Sequence, residues 1–287
     1  MSIQTARTAP TKATPASSDD RPLRFGLRSL LVAVAICAGL CGILSIAIVS
    51  VQRSRAKAFD ETCRVQMKQV VAALRNHQDQ RGDLPPPFFV DANNQPSHSW
   101  RFLACTYSEN RGLHMPPRPD FSKPWNHAAT QSGPWSEYGF LFKLPYGGIA
   151  KGNSRASILV VTGPKTVFPT TVRVPASACE RYRGPMTIDK ITDGPKNTIL
   201  IVEVADSDIH WMEPRDLEID TMSFQINDES APCLSSRHPD GPLVGFADGA
   251  VFRISRDIPS ATLRALLTAT GGEDIDREEL VQQGYLK

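Results

Sequence analysis

Ser29-Leu-Leu-Val-Ala-Val-Ala-Ile-Cys-Ala-Gly-Leu-Cys-Gly-Ile-Leu-Ser-Ile-Ala-Ile-Val-Ser-Val51 runs for 23 residues without a charge. As a helix it would be roughly 35 Å long, enough to cross a hydrocarbon core of about 30 Å. It is too long and too uniform for a signal-peptide apolar region or a core helix. Arg53 and Arg55 separate it from Ala56-Lys57-Ala58, which rules that triplet out as a cleavage box. The stretch therefore predicts a membrane anchor, with the lipid bilayer as its partner.

Both flanks are basic. Arg21, Arg24 and Arg28 precede the stretch; Arg53, Arg55 and Lys57 follow it. The positive-inside rule gives nearly a tie. A single anchor ahead of one large part, residues 52–287, usually delivers that part outward. The expected organisation is a disordered tail over 1–28, a transmembrane helix over 29–51 and one extracytoplasmic head over 52–287.

The helical pattern does not stop at the membrane. Phe59, Cys63, Met67, Val70 and Leu74 recur at helical spacing, with charged residues opposite. Gly82 and Pro85-Pro86-Pro87 close the run. The sequence from 83 to 152 is Pro-rich and carries Trp100, Trp125 and Trp135; it predicts irregular chain with short strands and turns. Strand signals follow at Ile158–Val161, at 166–174 and at Thr198–Val204. Leu243–Ala247 and Ala250–Ser255, joined by Asp248-Gly249, predict a hairpin. Short helices are expected within 257–269 and 276–283. The fold class is α+β: a long N-terminal helix, first in lipid and then packed on a mainly antiparallel sheet, with a Pro-rich insert.

Composition narrows the function. With 41% apolar residues and a net charge of +2, the chain is neither disordered nor a nucleic-acid binder. No phosphate loop, dinucleotide fingerprint, nucleophile elbow or His-Glu-x-x-His is present. No cofactor is expected. Cys63, Cys105, Cys179 and Cys233 permit one or two disulfides in an exported head, their pairing open.

The order of several short blocks resembles the prepilin-like bacterial proteins grouped as domain-of-unknown-function family 1559, abundant in planctomycetes. His238-Pro-Asp-Gly-Pro-Leu-Val-Gly-Phe-Ala-Asp248-Gly249 matches that family's His-x9-Asp-Gly hallmark. His98-Ser-Trp-Arg101, Val161-Thr-Gly-Pro164, Ile191 to Glu203, Trp211 to Pro214 and Gly271-Gly-Glu273 match further blocks in the same order. The resemblance implies export and a pseudopilin-like plan. One block departs from it: Arg24-Phe25-Gly26-Leu27-Arg28 stands where the family carries Gly-Phe-Thr-Leu-Val-Glu. The cleavage order is lost and Arg28 is basic, so an uncleaved anchor is expected.

Four groups of residues invite a chemical reading. His238 and Asp248 could serve as base and orienter or as metal ligands. The plainer reading makes Asp248 and Gly249 turn residues and lets His238 anchor the loop on a backbone carbonyl. Glu203 interrupts an apolar strand; if buried it needs a partner, which Arg101, His98 or His238 could supply. Asp206, Asp208, His210 and Glu213 could hold a divalent cation or form a solvated acidic loop. Trp100, Trp125, Trp135 and Trp211 could stack on sugars or fill the core. The function expected first is non-enzymatic interaction or assembly in the envelope, with envelope or surface proteins as partners. A glycan- or cation-binding module comes second, and a hydrolase using His238, Asp248 and Glu203 third. No catalytic or metal residue is assigned.

Overall fold

The computed structural model describes residues 26–108, 120–132, 134–145, 154–171, 173–178, 184 and 186–287. Cys179 and the tail expected over 1–28, as far as residue 25, lie outside them. The chain divides into two compact units, 1–55 and 56–287.

In the first unit the described chain is the start of helix α1, Leu27–Arg81. Every residue from 26 to 58 is exposed, including Leu31, Ile43 and Ile46. Helical geometry satisfies the backbone internally while leaving the apolar side chains outward, as a bilayer requires. By length and composition this helix can cross a membrane.

In the second unit α1 turns amphipathic. Cys63, Met67, Val70, Val71, Ala73, Leu74 and His77 are buried, the face set by their 3–4 residue spacing. The helix stops where Gly82 takes φ 87° and its amide reaches the Gln78 carbonyl, ahead of three prolines.

The buried face of α1 belongs to the same core as a four-stranded antiparallel sheet. The strands along the chain are β1 Phe88–Val90, β2 Pro96–Ser99, β3 Ile158–Leu159, β4 Val161–Thr162, β5 Val174–Pro175, β6 Ile199–Glu203, β7 Leu217–Glu218, β8 Leu243–Phe246 and β9 Val251–Arg253. The main sheet has order β3-β6-β8-β9. β6 and β8 are buried throughout, which explains why both read as unbroken apolar runs. Gly245 lies where the helix comes closest: a Cβ there would stand 2.7 Å from Val71 Cγ2 and 2.8 Å from Ile201 Cγ1. Two smaller sheets, β2-β1-β5 and β4-β7, each contain a parallel pair.

Where it is described, the Pro-rich insert holds more helix than expected. It holds α2 Arg101–Tyr107, α3 Ala128–Gln131 and a 3-10 run at Pro134–Phe142. Trp100, Phe102, Phe142, Phe168 and Trp211 are fully buried together, with Phe142 stacked on Trp211 at 6.0 Å and Trp100 edge-on to Phe142 at 5.5 Å. The expected continuous strand over 166–174 is broken. Lys165 sits at φ 61° and the Thr166 hydroxyl donates to the Gly163 carbonyl; among the described residues Phe168 makes a single bridge to Thr162, and Val174–Pro175 forms β5. The two C-terminal helices are α4 Ser260–Leu266 and α5 Arg277–Gln282, the latter capped by the Asp276 carboxylate on the Glu278 amide.

Candidate functional site

Two buried ionic centres organise the head. The first lies at the junction of β2, α2, β4 and β7. Arg101 is fully buried and pairs with Asp216, whose side chain is 2% exposed. Asp216 also accepts from the Val160 amide at 3.0 Å and from Trp100 Nε1 at 3.1 Å. The Arg101 guanidinium lies 4.9 Å from the centre of the Trp100 ring and donates to Ser99 Oγ at 2.8 Å. Burial pushes the Asp216 carboxyl up to about 6, against the pull of Arg101 and the two N–H donors. Burial also draws Arg101 down, and the Asp216 charge opposes it. A charged pair so enclosed is costly to make and more costly to break.

The second centre fastens α1 to the hairpin. Glu203, at the end of β6, is fully buried and takes the Leu243 amide at 2.6 Å. Arg253 on β9 supplies its charge at 3.7 Å, donates to the Gly241 carbonyl at 2.6 Å and binds Asp60 on α1 at 2.6 Å. The expected partners of Glu203 were Arg101, His98 and His238. The structure gives it Arg253, because antiparallel pairing sets Leu243 across from Arg253 and beside the end of β6.

The His-x9-Asp-Gly stretch spans the hairpin from its entrance to its tip. His238 Nδ1 accepts from the Asp240 amide at 3.2 Å, so the ring holds an amide and not the carbonyl expected. The carbonyl contact runs the other way: the His238 carbonyl accepts from the Gly241 amide and from Arg256. Asp248 accepts from the Ala250 amide at 3.0 Å and pairs with Arg277 at 2.7 Å. Gly249 takes φ 100°, closing a three-residue turn in which the Phe246 amide meets the Ala250 carbonyl. Glu203 lies by Leu243 at one end of β8 and Asp248 beyond the other, so roughly 15 Å of strand separates them. The structure does not bring His238, Asp248 and Glu203 into one constellation.

The remaining candidates fill structural places. His98 is fully buried between the Phe102 and Phe121 rings, 5.4 and 5.0 Å away, with Ser97 Oγ at 2.8 Å from Nδ1. Burial lowers it to about 4, so it is neutral at pH 7. Trp100, Trp135 and Trp211 are buried; Trp125 is half-buried beside the His210 ring. In the acidic loop, Arg215 pairs with Asp208 at 3.0 Å and Glu213 at 2.7 Å, and Arg237 pairs with Asp206. Among the described residues no group of three or more His, Cys, Asp or Glu is placed to hold a metal ion. Cys63, Cys105 and Cys233 are buried free thiols; burial pushes Cys63 up to about 12.

Sequence reasoning missed Asp216 and Arg253. Neither stands in a motif, and each meets its partner from more than 40 residues away.

Neither curated proteins nor solved structures include a match to this chain. A family model described as "Protein of unknown function (DUF1559)" matches residues 52–225. That span contains Trp100, Arg101, Glu203 and Asp216 and ends before His238. Covering more than half of the sequence, from the middle of α1 through β7, it shows that the chain belongs to the DUF1559 family.

Proposed function

We propose that this protein is a single-pass, membrane-anchored, non-enzymatic component of the bacterial envelope. Its head lies outside the cytoplasm and works through interaction or assembly, on a pseudopilin-like plan. The observation that carries the reading is α1 itself. Its first part exposes only apolar and small side chains from Ser29 to Val51, and its later turns bury a narrow face in a sheet-containing core. Such a helix suits an anchor that continues into a folded head. The separate structural engagements of His238, Asp248 and Glu203 support the non-enzymatic part. The Phe25-Gly26 order, the reverse of the Gly-Phe that is cut in the resembling family, supports an anchor that is kept rather than cut.

Topology tests the reading. Alkaline phosphatase and, separately, a cytoplasm-active fluorescent protein are fused after Lys287. Phosphatase activity without fluorescence supports an external head; the reverse pattern removes the envelope role. Intact mass reports processing, and a chain starting near Phe25 would show that the anchor is cut.

A further inference from the structure

The near-neutral balance of the chain conceals a segregation of charge. Between Arg21 and Phe59 stand six basic residues, Arg21, Arg24, Arg28, Arg53, Arg55 and Lys57, and no Asp or Glu. Of the chain's 32 Lys and Arg, these six leave 26 for the rest, against all 30 Asp and Glu. The excess is placed on both flanks of the apolar run. An orientation signal needs basic residues on one side only. At least one flank therefore has another task.

Arg28, Arg53 and Arg55 lie on the part of α1 that belongs to the first unit, and all three are exposed. The first carboxylate after Arg55, Asp60, is already taken by Arg64 and Arg253. At about 1.5 Å per residue, Arg53 follows Arg28 by roughly 38 Å along the helix axis. A bilayer measures about 30 Å across its hydrocarbon and about 40–45 Å with its headgroups. A centred helix therefore sets one cationic end in each headgroup layer, roughly 4 Å outside the hydrocarbon. Arg53 and Arg55 project roughly 200° apart around the helix. A partner lying against one side of α1 would meet only one of them; a layer that encircles the helix meets both. The planar guanidinium fork also matches phosphate oxygens two at a time.

We propose that the two ends of the anchor bind the phosphates of anionic phospholipids, Arg28 in one leaflet and Arg53 with Arg55 in the other. This rests on the reading of α1 as a membrane anchor, and adds to it the class of lipid that the anchor selects.

The test reconstitutes the full chain in vesicles of phosphatidylcholine and phosphatidylglycerol. Spin-labelled forms of the two lipids report, by electron paramagnetic resonance, which one the protein holds at its surface. Phosphatidylglycerol should be preferred roughly threefold to fivefold at low salt, from about 1 kcal/mol per arginine near the surface. Added salt should weaken the preference. R28Q and R53Q/R55Q should each lower it, and the triple variant should lower it further. R53K/R55K, which keeps the charge without the fork, should retain part of it. All three side chains are exposed, so the melting temperature of the head should not change. The same vesicles are floated after alkaline carbonate extraction. A chain stripped from the vesicles would show the anchor reading itself to be wrong and would take the proposal with it. A chain that floats but holds both lipids equally overturns the proposal alone, as does a triple variant with unchanged preference. Loss of the whole preference in R28Q, or in R53Q/R55Q, overturns binding in two leaflets. Displacement of the labelled lipid by inorganic phosphate at matched ionic strength would assign the arginines to free anions and overturn it too.

Discussion

Val71 on the helix sits directly over Gly245 on the central strand β8, so close that a methyl group on Gly245 would approach Val71 Cγ2 to 2.7 Å. The same methyl would meet Ile201 Cγ1 at 2.8 Å. Both neighbours are β-branched and held in a packed core, so neither can swing aside cheaply. Gly245→Ala should therefore cost about 1–3 kcal/mol by overpacking. Val71→Ala should relieve part of that in the double variant, although alone it destabilises. Urea unfolding of the four proteins in the cycle gives the coupling; strict additivity would show that the helix does not dock here.

Arg101 and Asp216 should behave as a unit. Arg101→Met leaves a buried carboxylate without its cation and should cost about 3–5 kcal/mol. Asp216→Leu strands the guanidinium and the Val160 and Trp100 donors and should be as severe. The double change removes both charges and should cost less than either single one. Denaturant midpoints decide it.

The second ionic centre makes a graded prediction. Arg253→Met takes its cation from buried Glu203 and releases Asp60 of α1 from the hairpin, again about 3–5 kcal/mol. Glu203→Gln keeps an acceptor for the Leu243 amide and should cost only about 1 kcal/mol. If the glutamine variant proved the worse of the two, the assigned roles would be reversed.

Acid should act through two histidines and one carboxyl in opposite directions. Burial lowers His77 and His98 from 6.5 to about 4. The unfolded chain takes up these protons near 6.5 and the folded chain only near 4. Their contribution is whole above 6.5 and disappears as the pH falls towards 4. Asp216, raised from 3.8 to about 6, contributes fully below 3.8 and loses that contribution as the pH rises through 6. Two groups outweigh one, so stability should drop on the order of 3 kcal/mol between pH 6.5 and 4.5. In H77Q/H98Q most of that drop should vanish; the smaller downward shifts of His210 and His238 act in the same direction and remain. Urea midpoints across a pH series read both slopes.

Two turn glycines separate strain from collision. Gly249 has φ 100° and open space around it, so Gly249→Ala should cost only the backbone penalty, about 1–2 kcal/mol. Gly241 has φ 94°, and a Cβ there would stand 2.0 Å from the Ile254 carbonyl oxygen. Gly241→Ala should be markedly worse. Melting temperatures of the two variants rank them.

The parts of this fold legible in the sequence are those written over short distances. The helix face from Cys63 to Leu74 follows a spacing that any reader can count. The apolar run that becomes β6 and the Asp248-Gly249 turn announce themselves within ten residues. What was not legible is fixed by partners far along the chain. Nothing near Glu203 names Arg253, and nothing near Arg101 names Asp216. Gly245 looked like an ordinary strand residue until Val71 was placed above it. α2 was hidden because its neighbours are rich in proline, yet Arg101–Tyr107 contains none.

The docking of α1 also sets a clock. Arg75 donates to the Ala247 carbonyl, 172 residues later in the chain. At ordinary rates of synthesis, roughly ten to thirty seconds pass between the making of the helix and the making of the strand that covers it. Throughout that interval Met67 and Leu74 have no sheet to lie on. The newborn head must wait with its core face uncovered, and whatever shelters that face in the cell acts before the fold exists.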